Sequence, residues 1–214
     1  MKAFYDITLA AAATVLIVGS AACQKKAEEP ATVDTVAASA AAPDVPLTLS
    51  AEAQKLAPGT KVAVIELEKG GTVEVELLTA ETPKTATNFI KLVEDKFYDG
   101  IPFHRVEPGF VVQAGDATLV GRTNPDITLD VEADKRKCVR GAVSMARQMA
   151  PGASEYGATS PTQFFILTGD SSHLDADFCV FGVVVSGMDV VDALKQGDVI
   201  RRVRILTVGE DGGE

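Results

Sequence analysis

Five apolar runs, at 110–114, 141–146, 163–168, 179–185 and 199–208, constrain this chain more than any other feature. Each is partly β-branched and bounded by Gly, Pro or Asp, the pattern of strands rather than of core helices. Upstream, 62–67 and 72–78 alternate apolar and polar residues around Lys69-Gly70-Gly71, which predicts a hairpin. Thr82-Pro83 then offers an N-cap and a first-turn proline, and Ala86, Phe89, Ile90 and Val93 recur at helical spacing up to Asp95. Met188 to Leu194 reads as a second, short helix. Many strands and two helices make a mainly β fold, a barrel or a sandwich.

The 214 residues are 46% hydrophobic and contain no Trp, enough for one well-buried core and a tail or tether. A formal charge of −10 argues against a nucleic-acid partner, whose phosphates call for a basic stripe. At the N-terminus, Lys2 precedes a largely apolar run from Ile7 to Ala22 that suits a secretory signal better than a spanning helix, which needs about 20 apolar residues. Ser20-Ala21-Ala22-Cys23 resembles a bacterial lipobox, with Ser20 where Leu is usual. On that resemblance Cys23 is lipidated and becomes the mature N-terminus; cleavage near Ala22 and an uncleaved anchor are the alternatives. Gln24, by similarity to Gram-negative lipoproteins, favours the outer membrane, facing the periplasm, over inner-membrane retention. Residues 23–58, rich in Ala, Pro, Glu, Thr and Val, read as a flexible tether with an r.m.s. span of about 30–35 Å. The expected organisation is thus a signal over 1–22, the lipidated tether, a folded domain over 59–208 and a disordered tail over 209–214.

The chemistry concentrates in FHRVEPGFVVQAGD at 103–116. It reads as strand, Pro108-Gly109 turn and strand, with Phe103 and Arg105 on one face of the first strand and Val111 and Gln113 on one face of the second. A permanently charged guanidinium among Phe103, Phe110 and Val111 suits a carbonyl-bearing ligand, and so a groove for peptide backbone rather than a nucleophilic site. The only histidines are His104 and His173, and neither Cys-x-x-Cys nor His-x-x-x-His spacing occurs, so no zinc site is expected, and the acidic loop of Asp170, Asp175 and Asp177 lacks the glycine and distal Glu of a calcium-binding hand, so no metal is expected there either.

With GAVSMA at 141–146, PTQFFILT at 161–168 and HLDADFCVFG at 173–182, that stretch resembles the cyclophilin-type peptidyl-prolyl isomerases over about residues 60–208. The resemblance implies a closed eight-stranded antiparallel barrel with a helix at each open end, no cofactor, a monomer, and proline-containing unfolded or partly folded polypeptides as substrates. It implies that Arg105 acts on the twisted amide and that Gln113 positions substrate backbone and the arginine. Phe110, Val111, Phe165 and Leu174 match the proline pocket, Ala146 the peptide groove and Gln163 its rim. His173 stands where many members have Trp, and Phe178 where a pocket His is frequent. The segment between Met145 and Gln163 is longer than in small bacterial relatives. The implied role is a membrane-tethered foldase of the cell envelope; the alternative is a peptide-binding chaperone or adaptor with little catalysis. Whether Cys138 and Cys179 pair is open.

Overall fold

In the computed structural model, residues 47–132, 136–148 and 156–209 are described. The expected signal segment, Cys23, the tether up to residue 46, the tail from 210 and residues 149–155 of the long loop lie outside the described residues.

Among the described residues eight strands, β1 (Lys61–Leu67), β2 (Thr72–Leu77), β3 (Arg105–Glu107), β4 (Val111–Ala114), β5 (Ala142–Arg147), β6 (Thr159–Leu167), β7 (Val180–Ser186) and β8 (Ile200–Thr207), form one curled sheet. Their order is β3-β4-β6-β5-β7-β2-β1-β8, every pair antiparallel. The expected strands, hairpin and helices are present, with α1 at Pro83–Glu94 and α2 at Met188–Asp192.

Among the described residues no ladder closes the sheet into a barrel. β3 and β8 end the sheet, and the seam beside them is an isolated bridge between Pro102 and Val199. It is supported by Phe103 N donating to Asp198 O at 2.8 Å and Ile200 N to Ile101 O at 3.0 Å. β3 is only three residues long, and Pro102, with no N–H, leaves a gap in the pairing, which resumes upstream where Gly100 N donates to Ile200 O at 2.8 Å.

Inside the curl, Ala63, Ile65, Leu67, Val73, Val75, Val112, Phe164, Ile166 and Phe181 meet the buried face of α1. Phe89 of α1 sits 5.0 Å from Tyr98, 5.5 Å from Phe164 and 5.1 Å from Phe181, ring centre to ring centre. Thr82 is the N-cap residue, but its hydroxyl donates to Leu78 O. The first-turn N–H groups of Lys84 and Thr85 instead donate to the Glu132 carboxylate, at 3.0 and 2.6 Å. Phe103 also departs from expectation: it precedes β3 and belongs to this interior core, so it does not share a face with Arg105.

The folded body starts before residue 59. Leu47, Leu49, Ala53 and Leu56 cluster with Val62, Val64, Leu206 and Val208 on the other face of β1 and β8. Ser50 N donates to Glu74 Oε1 at 2.8 Å, and the Ser50 hydroxyl donates to the same carboxylate. The last part of the expected tether is therefore packed chain. The reason is legible in β1: KVAVIEL is apolar on both faces, and the outer face needs a cover.

Candidate active site

Strand register assembles the site on the sheet face opposite the interior core. Arg105 on β3 pairs with Gln113 on β4, which pairs with Phe165 on β6, so three residues distant in sequence form one rung. Val111 stands two residues from Gln113 and shares its face, while Val112 and Ala114 point into the interior core.

Between β3 and β4, Phe110 N donates to Glu107 O at 3.0 Å, closing a turn with Pro108 and Gly109 at its centre. Gly109 has φ of 75°, as the third position of a type II turn requires. Gly169 packs under this turn: a Cβ there would lie 2.2 Å from Gly109 O. The turn is thereby fixed, and with it the half-buried Phe110.

Arg105 is about half exposed, at 46% of its side chain. Its Nε donates to Glu107 Oε1 at 2.8 Å, its Nη1 makes a long contact of 3.4 Å to Gln113 Oε1, and its guanidinium carbon lies 5.7 Å from the Phe110 ring centre. Gln113 in turn donates through Nε2 to Gln163 Oε1 at 2.9 Å. A chain of polar contacts thus runs across three strands and sets the angle of the arginine. Nη2 of Arg105 makes no hydrogen bond among the described residues, which leaves donors facing the groove.

Beside this rung lies a cavity of about 390 Å³, within the usual range of small-ligand sites. Of the ten expected site residues, Arg105, Phe110, Val111, Gln113, Ala146, Phe165, Leu174 and Phe178 line it. The other two stand beside it. Gln163 belongs to the site through Gln113, and His173, exposed, stacks on Phe110 at 5.9 Å with 25° between the rings. Leu174 and Phe178 are brought in by a short turn in which Phe178 N donates to Leu174 O at 3.1 Å. Phe165 and Phe178 meet edge to face at 5.4 Å, so the floor is aromatic.

Two lining residues escaped the sequence reading, Arg147 and Tyr156. Arg147 ends β5 and reaches backbone carbonyls on two other segments, contacts that no local spacing encodes. The only hint is an arginine directly after the apolar run that ends at Ala146.

His104, next to Arg105, keeps its backbone in the rung by donating N–H to Gln113 O at 3.0 Å. Burial pushes its imidazole below the ordinary value; the neighbouring Asp116 opposes this and the Arg105 charge reinforces it.

Comparison with known proteins converges on one family. The family model for cyclophilin-type peptidyl-prolyl cis-trans isomerases matches residues 62–210. The chain belongs to the cyclophilin family. Among curated relatives of this cyclophilin, peptidyl-prolyl cis-trans isomerase B of Bacillus subtilis is 37% identical over 147 residues, 68% of this chain and 98% of the relative. The peptidyl-prolyl cis-trans isomerase of Helicobacter pylori is 36% identical over 148 residues, 67% of this chain and 86% of the relative. A cyclophilin-type isomerase of Cryptosporidium parvum, solved by crystallography, superposes with a TM-score of 0.60 at 26% identity, covering 69% of this chain and 98% of that one. The same isomerase has been solved in the presence of the dipeptide Ala-Pro. As a cyclophilin, the protein is a peptidyl-prolyl cis-trans isomerase.

Proposed function

We propose that the rung Arg105–Gln113–Phe165, set beside the aromatic cavity, is the catalytic centre for rotation about X-Pro bonds. That single juxtaposition of a guanidinium with an aromatic-floored recess roomy enough to seat a proline ring carries the reading. Rotation crosses a barrier of about 18–20 kcal/mol because amide resonance must be broken, and it needs no covalent intermediate. The proline ring seats on Phe110, Val111, Phe165, Leu174 and Phe178, while Gln113 holds the peptide backbone. An Arg105 N–H then bonds the prolyl nitrogen as it becomes pyramidal. This bond exists only in the twisted form, so it lowers the barrier by differential binding. Bringing an uncatalysed time of tens of seconds to milliseconds takes about 5–7 kcal/mol.

The substrates are exported, unfolded or partly folded chains containing proline, met by a monomeric domain held at the cell envelope through lipidated Cys23. The outer membrane, facing the periplasm, is the favoured site. The support is the lipobox-like Ser20-Ala21-Ala22-Cys23 after an apolar segment. Two measurements test the whole. Isomerisation of a proline tetrapeptide by the purified protein should be accelerated, and binding without acceleration would support the adaptor reading instead. Mass spectrometry of the native N-terminus should show an acylated Cys23; an unmodified cysteine or cleavage elsewhere rejects the anchor.

A further inference from the structure

Arg147 lines the cavity with its side chain only 16% exposed. Its Nη1 donates to Asp177 O at 2.7 Å and its Nη2 to Tyr156 O at 3.0 Å. Nε and Nη2 also donate to Gly157 O, at 3.2 and 3.0 Å. These carbonyls sit on two segments, one just before β6 and one in the turn before β7. Each segment sends one aromatic ring to the cavity, Tyr156 from the first and Phe178 from the second. The rings meet edge to face at 4.7 Å, and the guanidinium carbon lies 5.6 Å from the Tyr156 ring centre. A guanidinium carries five N–H donors in a rigid planar fork that spans two separate segments, whereas an ammonium is a compact charge with three donors on a flexible stem. Without it, three carbonyls lose their partner and the two rings lose their common anchor.

We propose that Arg147 is a positioning residue that clamps Tyr156 against Phe178, and that the aromatic wall so formed selects substrates with an apolar or aromatic side chain beside the proline. The proposal rests on isomerase turnover at this cavity. The Arg147 donors are committed to carbonyls, and its Nη1 lies 3.9 Å from the Asp177 carboxylate on the same turn, so its influence passes through the wall. The wall touches a side chain that stays in place while the amide twists, and it stabilises ground state and transition state alike. Such uniform binding appears in KM rather than kcat.

The test is kcat and KM of the full chain on two tetrapeptide series, with Phe, Leu, Ala or Gly placed before the proline or after it. The unaltered protein should favour Phe or Leu over Gly in one series by about fivefold or more in kcat/KM. Arg147→Ala should raise KM for the favoured peptides about fivefold, keep kcat within about twofold and flatten the preference. Arg147→Lys should restore little of it. Tyr156→Ala leaves the guanidinium in place and should also flatten the preference, a result that stands even if Arg147→Ala does not fold. No preference in either series, or a full preference in folded Arg147→Ala and Tyr156→Ala, overturns the proposal. A kcat loss at constant KM in Arg147→Ala overturns the positioning role. Absence of turnover in the unaltered protein overturns the isomerase reading and this proposal with it, whereas turnover lost only in Arg105→Ala leaves both standing.

Discussion

Arg105 illustrates how a surface ion pair can matter for geometry more than for stability. Its contact with Glu107 joins two half-exposed side chains, and such pairs contribute about 0–1 kcal/mol. Fixing the guanidinium plane beside Gln113 is the greater consequence. Arg105→Ala should therefore lower kcat/KM on a proline tetrapeptide by at least about tenfold, and up to about a hundredfold if the full bond to the twisted amide is lost. Circular dichroism should show an unchanged fold, because the side chain lies outside the interior core. Arg105→Lys should recover little, since the ammonium lacks the fork that spans Glu107, Gln113 and substrate. Unchanged turnover in a folded Arg105→Ala protein would move the site towards peptide binding alone. His173 offers a second check at this scale. Its imidazole stacks on Phe110 beside the cavity, and the family resemblance implies an indole at that position in many members, so cyclosporin should inhibit weakly. Nanomolar inhibition would contradict that reading of the substitution.

Helix α1 shows capping supplied from a distance. Glu132 lies far from α1 in sequence, yet its carboxylate accepts the first-turn N–H groups that Thr82 leaves unmet. Burial raises the carboxyl, but the hydrogen bonds from Thr85 and Lys84 outweigh it and hold Glu132 below the ordinary carboxylate value of 4.5. Removing a cap of this kind costs about 1 kcal/mol, or about 2–4 °C in Tm for a domain of this size. Glu132→Ala should show that loss at pH 7. A group depressed on folding contributes fully above its unfolded value and loses that contribution as pH falls through its folded value. The gap between the two proteins should therefore narrow as the solution is acidified below the ordinary value. Chemical denaturation at neutral and acidic pH reads it directly; a gap independent of pH would mean that Glu132 acts through packing.

At the scale of the molecule, the sheet has two apolar faces and each is covered differently. The interior is filled by α1 and the strands' own side chains, whereas the outer face of β1 and β8 is covered by residues 47–56. Burying Ala53 and parts of Leu47, Leu49 and Leu56 amounts to about 3 kcal/mol or more by area. A chain starting at residue 59 should accordingly unfold at lower denaturant than one starting at residue 45, with Val62, Val64 and Val208 newly exposed. Equal midpoints would show that the segment covers this face without stabilising it.

Most elements were readable from the sequence alone, because strand alternation, turn glycines and helical spacing are local properties of the chain. Arg105, Phe110 and Gln113 could be recognised for the same reason: they lie within nine residues of one another in FHRVEPGFVVQAGD. Ala146, Phe165, Leu174 and Phe178 were expected at the site only through the family resemblance, and the fold sets them around one cavity. What tertiary structure alone decided depends on groups far apart in sequence. Phe103 packs in the interior core although Arg105, two residues on, faces the site, and the seam between the ends of the sheet is an isolated bridge with scattered backbone bonds rather than a ladder. Glu132 became a cap, residues 47–56 became a cover, and Arg147 joined two loops through backbone carbonyls. A carbonyl is present at every position and carries no side-chain signature, so its choice of partner cannot be read from composition or spacing. It is settled only when the folded chain brings donor and acceptor together.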